Sequence, residues 1–146
     1  MNDYSLQELR IGLKEQFEVT MTEDILKSFQ VITGDDNPLH SDIDYAESKG
    51  FPGRVVYGML SASFLSTLAG VYLPGKKSLI HNVNVNFHKP VFIGDVLTVA
   101  GEVREKDERF GLIKLKIKIS NQDNTRLVSG SMQIGLVENI EVDSSI

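Results

Sequence analysis

Tyr57-Gly58-Met59-Leu60-Ser61-Ala62-Ser63-Phe64-Leu65-Ser66-Thr67-Leu68-Ala69-Gly70-Val71-Tyr72-Leu73 carries no charged residue and is closed by Pro74-Gly75. Met59, Leu60, Phe64, Leu65, Leu68 and Val71 cover nearly the whole circumference of a helix, which marks it as a central one wrapped by other structure. Gly58, Ser61, Ala62, Ser63, Ala69 and Gly70 are small enough to let neighbouring backbone come close. The uncharged stretch runs from Val55 to Gly75, long enough in principle to span a bilayer. Its hydroxyl residues Ser61, Ser63, Ser66 and Thr67 and its Pro-Gly ending read instead as a helix buried in a protein core, with no membrane partner.

Beyond Pro74-Gly75 the period changes from helical to two. Asn82-Val83-Asn84-Val85-Asn86-Phe87 alternates without a fault. So do Leu97, Val99, Gly101 and Val103, then Leu115 to Ile119, then Val128, Gly130, Met132, Ile134 and Leu136. These are strands with one buried face, as in an antiparallel sheet. Pro90 with Gly94-Asp95, Asp107 to Gly111, and Asn121 to Thr125 supply the turns. One apolar helix must be hidden and four or five one-faced strands can hide it. The expected architecture is α+β, an antiparallel sheet curved around a long central helix. Sheet edges need cover, and edge-to-edge pairing with a second copy provides it, so a homodimer is expected.

Upstream, Ile11 to Val19 reads as a strand. Thr22 precedes Glu23-Asp24 and the apolar positions Ile25, Leu26, Phe29 and Ile32, an amphipathic helix with a cap and an acidic first turn. Gly34-Asp35-Asp36-Asn37-Pro38 ends it in a turn. Asp42 to Lys49 suits a short helix closed by Gly50 and Pro52.

The chain has 146 residues, 41% hydrophobic and 24% charged, the composition of a folded globular protein. Residues 1–146 read as one domain, with 138–146 a short, acidic, loosely ordered tail. Net charge is −5, which argues against a nucleic-acid partner. There is no cysteine, which removes disulfides, thiolate metal sites and cysteine nucleophiles, and fits a reducing, cytoplasmic setting. Met1 to Arg10 is polar and unlike a signal peptide.

Chemistry concentrates in Thr33-Gly34-Asp35-Asp36-Asn37-Pro38-Leu39-His40-Ser41-Asp42, read as a loop. Pro38 stiffens the connection between Asp35 and His40. A carboxylate and an imidazole held towards one point can grip a water molecule, the arrangement general acid–base catalysis needs. The plain alternative is a polar turn with a capping Asp and a surface His.

Gly34 to Asp42, then Tyr45-Ala46, Phe51, Arg54-Val55-Val56-Tyr57-Gly58-Met59-Leu60, Leu73-Pro74-Gly75 and Phe87-His88-Lys89-Pro90-Val91-Phe92-Ile93-Gly94-Asp95 together resemble the MaoC-like family, and more narrowly its (R)-specific enoyl-CoA hydratases. The resemblance spans roughly residues 10 to 137. It implies the hot dog fold, the architecture reached above from burial alone. It also implies hydration of a trans-2-enoyl-CoA to an (R)-3-hydroxyacyl-CoA, with coenzyme A as part of the substrate and no metal or redox cofactor. On the matching positions Asp35 and His40 become the catalytic pair and the Gly58 N–H the donor to the thioester oxygen. Asn37 becomes the organiser of the loop, and Ser66 a supporting hydroxyl. One position departs from the family pattern: Tyr57 stands where many members have His.

Acyl-CoA thioesterase and a non-catalytic acyl-thioester binding subunit are the alternatives on the same fold. His81 and His88, seven residues apart on one strand, are expected to face opposite sides of a regular sheet, which disfavours a metal site. Lys114, Lys116 and Lys118 line one strand face, read as solvated.

Overall fold

The computed structural model describes residues 1–138, so the tail expected at 138–146 lies outside the described residues apart from Glu138. Strand β1 (Lys14–Thr20) leads into α1 (Glu23–Thr33), then two short helices, α2 (Pro38–Ser41) and α3 (Ile43–Ser48). The central helix α4 (Gly58–Thr67) continues into a π-helical turn, Leu68–Tyr72. Strands β2 (Ser78–Phe87), β3 (Val96–Asp107), β4 (Leu112–Ser120) and β5 (Arg126–Leu136) complete the chain. All five strands form one antiparallel sheet in the order β1-β3-β4-β5-β2.

Local chemistry accounts for these boundaries. The Thr22 hydroxyl accepts the Ile25 N–H and caps α1, as its sequence indicated. Gly34 ends α1 at φ 71°, a left-handed conformation that costs glycine little. The Asp42 carboxylate accepts the Tyr45 N–H and caps α3. Asp107 and Asn121, through their side-chain oxygens, accept backbone N–H groups of the hairpins they open. The apolar face of α1 ends at Phe29, and Ile32, expected on that face, is exposed.

β3 and β4 alternate between buried and exposed residues, with Leu97, Val99, Val103, Ile113, Leu115 and Ile117 facing inward. Against them pack Leu60, Leu65, Leu68, Ala69 and Leu73, and each such leucine contributes about 1.5–3 kcal/mol through burial. Lys114, Lys116 and Lys118 are exposed on the opposite face of β4, as read from the alternation.

Three expectations need correction. The central helix is wrapped on one side only: Met59, Ser63 and Ser66 form an exposed stripe along α4. Correspondingly, β2 has no buried residue despite its perfect alternation, because it is an edge strand lying beyond the helix's cover. On its inward face Ile80, Val83 and Phe87 are 37%, 44% and 49% exposed. His81 and His88 do not face opposite sides. A bulge between Ile80 and Asn82 shifts the strand's alternation by one. His81 therefore pairs with Gln133 and His88 with Ser129, both on the outer face of β5 and about 13 Å apart along the strand.

Among the described residues no helix is long and apolar enough to cross a membrane.

Candidate active site

The segment after α1 is ordered by its own side chains. An Asp35 carboxylate oxygen accepts the Asn37 N–H at 3.1 Å. The Asn37 side-chain oxygen accepts the Leu39 N–H at 3.0 Å and caps α2, with Pro38 in its first turn, where a missing N–H costs nothing. His40 is thus carried on a helical turn, where the sequence suggested a loop. The cap and the proline are sufficient to wind it.

The backbone of residues 54–57 clamps that turn. Leu39 O accepts the Val55 N–H at 3.1 Å, and Val55 O lies 2.6 Å from His40 Nδ1. A carbonyl only accepts, so Nδ1 carries a proton, and the tautomer this selects has Nε2 as its acceptor. Val56 N–H in turn donates to Val91 O, anchoring the segment to the chain that follows β2.

Tyr57 joins the two halves of the motif. Its hydroxyl donates to the Asp35 main-chain oxygen at 3.0 Å, and its ring lies 4.0 Å from the His40 ring and 5.0 Å from Phe29, centroid to centroid. Tyr57 is 4% exposed. Burial, then the nearby charges of Asp35 and Asp36, push its pKa above the ordinary tyrosine range, so the hydroxyl remains a donor.

Gly58 opens α4, exposed to solvent, with its N–H among the groups a helix start leaves without an internal acceptor. No side chain caps this end. A Cβ at Gly58 would come within 3.3 Å of the Phe87 ring, so glycine leaves the N–H open to a ligand beside that ring. His40 and Gly58 share a pocket of about 330 Å³ with Phe51, Val55, Val56, Ser61, Phe87 and Val128. His88 and Lys89 also line it. The arrangement offers an imidazole acceptor and a helix N-terminal donor against a largely apolar wall, suited to polarising a carbonyl and moving a proton beside it.

Of the residues expected from sequence, His40 and Gly58 line the pocket. Asp35 and Asn37 are exposed and are not among the residues that line it; they are linked to His40 through α2 and Tyr57. Ser66 does not join them. It lies on the exposed stripe of α4, outside the pocket wall. Three features were missed. The Val55 carbonyl has no sequence signal, because any residue supplies one. Phe87 was read as an ordinary inward strand residue. Ser61 sits three residues after Gly58 on the same helix, a spacing that puts both on one face.

Known proteins share this chain's sequence pattern and fold. The MaoC like domain model matches residues 8–125. An (R)-specific enoyl-CoA hydratase of Aeromonas caviae is 33% identical over 132 residues, covering 90% of this chain and 98% of that protein. A 3-hydroxybutyryl-CoA dehydratase of Methylorubrum extorquens is 36% identical over 108 residues, 68% of this chain and 69% of its own length. The solved A. caviae (R)-hydratase superposes with a TM-score of 0.86, covering 90% of this chain and 99% of that one. An R-hydratase from Pseudomonas aeruginosa, 30% identical, superposes at 0.85 over 97% of this chain and 94% of its own. The sheet curved over one central helix is the hot dog fold of these structures, and with the family model matching from β1 to the turn before β5, the chain belongs to the MaoC-like family.

Proposed function

We propose that this protein is a hydro-lyase that reversibly adds water to a trans-2-enoyl-CoA, giving an (R)-3-hydroxyacyl-CoA. The observation that carries the reading is the pairing of two groups in one apolar pocket. These are His40, held by Val55 O so that Nε2 is the accepting ring nitrogen, and the Gly58 N–H at the start of α4. Relatives bearing hydratase and dehydratase names match over most of the chain and support it.

In this reading the acyl thioester lies along the apolar wall with its carbonyl oxygen at the Gly58 N–H and the positive end of the α4 dipole. Asp35 and His40 hold one water. As its oxygen bonds to C3, a proton passes to one member of the pair and the C2=C3 π electrons move onto the thioester oxygen. They return to C2, which takes a proton from the pair. Water supplies both the hydroxyl and the hydrogen, and the protein ends unchanged. Asn37 keeps the Asp35–His40 connection wound, and Ser66, on the exposed stripe of α4, is a supporting hydroxyl. No step calls on a metal or redox cofactor.

The working unit is a homodimer. The apolar inward face of β2 and the exposed Met59 stripe of α4 lie side by side, and a second copy paired along the β2 edge covers both.

The test mixes purified protein with crotonyl-CoA and follows ultraviolet absorbance of the conjugated enoyl group, with a thiol reagent in parallel. Loss of absorbance without thiol, and an (R) product by chiral analysis, is the expected result. Thiol release indicates a thioesterase. Silence with short, long and carrier-protein-linked substrates, alongside measurable acyl-CoA binding, indicates a binding subunit.

A further inference from the structure

Ser61 is 1% exposed, and its hydroxyl is the one buried side-chain polar atom among the described residues without a hydrogen-bond partner. Helix serines usually return their hydroxyl to a carbonyl one turn back. Ser63, two residues on, does so, donating to Leu60 O at 2.6 Å. For Ser61 the carbonyls one turn back are Gly58 O and Tyr57 O; the latter already accepts the N–H groups of Leu60 at 3.1 Å and Ser61 at 3.3 Å, and the Ser61 hydroxyl bonds neither. A buried hydroxyl left in this state weakens the fold, so a site that retains one has a use for it.

Its position indicates the use. Ser61 lines the same pocket as His40 and Gly58, and the wall around it is supplied by Phe51, Val55, Val56, Phe87 and Val128. It stands about 4.5 Å further along α4 than Gly58, at 1.5 Å per residue. The reacting end of the acyl group offers two oxygens only: that of the thioester and the one gained or lost at C3. The first belongs to the Gly58 N–H. We propose that Ser61 is a substrate-contacting residue whose hydroxyl holds the C3 oxygen, which enters as water and stays as the product hydroxyl. This rests on the hydratase reading above. Ser61 exchanges no proton in it; it fixes the oxygen on the His40 side of C3 and favours the hydroxylated ligand over its saturated counterpart.

The test uses the full chain with S61A and S61T. Three quantities are measured: melting temperature without ligand, turnover of a short trans-2-enoyl-CoA, and affinity for a saturated acyl-CoA against the (R)-3-hydroxyacyl-CoA of equal length. S61A is expected to melt no lower than the parent and to lose about three- to tenfold in kcat/KM, mainly through kcat. Its preference for the hydroxylated ligand narrows by a similar factor, and S61T retains both properties. Should S61T fail to fold, the paired affinities of S61A decide alone. Parental turnover and an unchanged preference in S61A overturn the assignment, and so does a lowered melting temperature with the preference intact, which marks a structural hydroxyl. A parent protein inactive on every enoyl thioester removes the hydratase reading and this one with it; an active parent and an equally active S61A remove only the role of Ser61.

Discussion

The Tyr57 hydroxyl donates to the main-chain oxygen of Asp35 at 3.0 Å while the Tyr57 ring lies 4.0 Å from that of His40, so one side chain spaces the two residues of the motif. Y57F keeps the ring and loses the tether. We expect kcat to fall about three- to tenfold with KM nearly constant, since one neutral hydrogen bond is lost. Y57A removes the ring as well and should cost about 3 kcal/mol of stability by chemical denaturation, as buried aromatic truncations do.

The raised pKa of Tyr57 predicts an alkaline loss of stability. An unfolded tyrosine ionises near pH 10 (about its reference value), whereas burial holds the proton on Tyr57 to higher pH. The folded state therefore binds the proton more tightly. That contribution is complete below about pH 10 and is lost as pH rises through the folded value. Tyr4, hydrogen-bonded to Glu15, shifts in the same direction. Denaturation of Y57F across this range should show a shallower decline than the parent, with the remainder belonging to Tyr4.

D35N and H40A should each lower kcat by about 10²–10⁴, the usual contribution of a general acid or base. Both side chains lie outside the core, and Asn at position 35 still offers an oxygen to the Asn37 N–H. Melting temperatures near the parent's are therefore expected. Parental rates from either variant would remove the mechanism.

G58A tests the donor at the start of α4. The N–H survives, but the new methyl meets the Phe87 ring at 3.3 Å and narrows the approach of a carbonyl. We expect kcat/KM to drop about tenfold or more with the fold retained. A second substitution, F87L, should recover part of the loss by making room.

V83K tests the dimer. Val83 is 44% exposed on the inward face of the β2 edge, and a lysine there opposes pairing with another edge. Sedimentation should show a dimer for the parent and a monomer for V83K, with the far-ultraviolet spectrum unchanged. A parental monomer at all concentrations would rule the assembly out.

How much was legible in the sequence varies along the chain, and the reasons are physical. The turn residues Asp107 and Asn121 and the cap Thr22 were readable because their hydrogen bonds are made within a few residues. β3 and β4 were readable because they are central, so alternation in sequence becomes alternation in burial. β2 carries the same pattern and no buried residue. Periodicity reports which residues can face a partner, and cannot say whether the chain itself provides one. The His81 bulge was invisible because nothing in Ile80-His81-Asn82 marks an extra residue until β5 sets the register. At the site, Asp35, Asn37 and His40 lie within one short run and could be grouped on sight. Tyr57, Ser61 and the Val55 carbonyl acquire their relation to His40 only when residues 54–61 fold back against α2. Ser66 was assigned by resemblance alone; in this chain it is exposed and is not among the residues that line the pocket.

The group that orients His40 is a main-chain oxygen. Where an aspartate or asparagine holds a histidine, a single codon change can release it. Here no side-chain substitution at Val55 deletes the acceptor, so position 55 is free to vary in response to the shape of the ligand it lines without disturbing the tautomer. The vulnerable property is the path of the backbone. Insertions or deletions between Gly53 and Gly58 should inactivate the protein even when every residue of the Asp35–His40 motif is intact, and surveys of natural variation should find amino-acid diversity at position 55 alongside strict conservation of loop length.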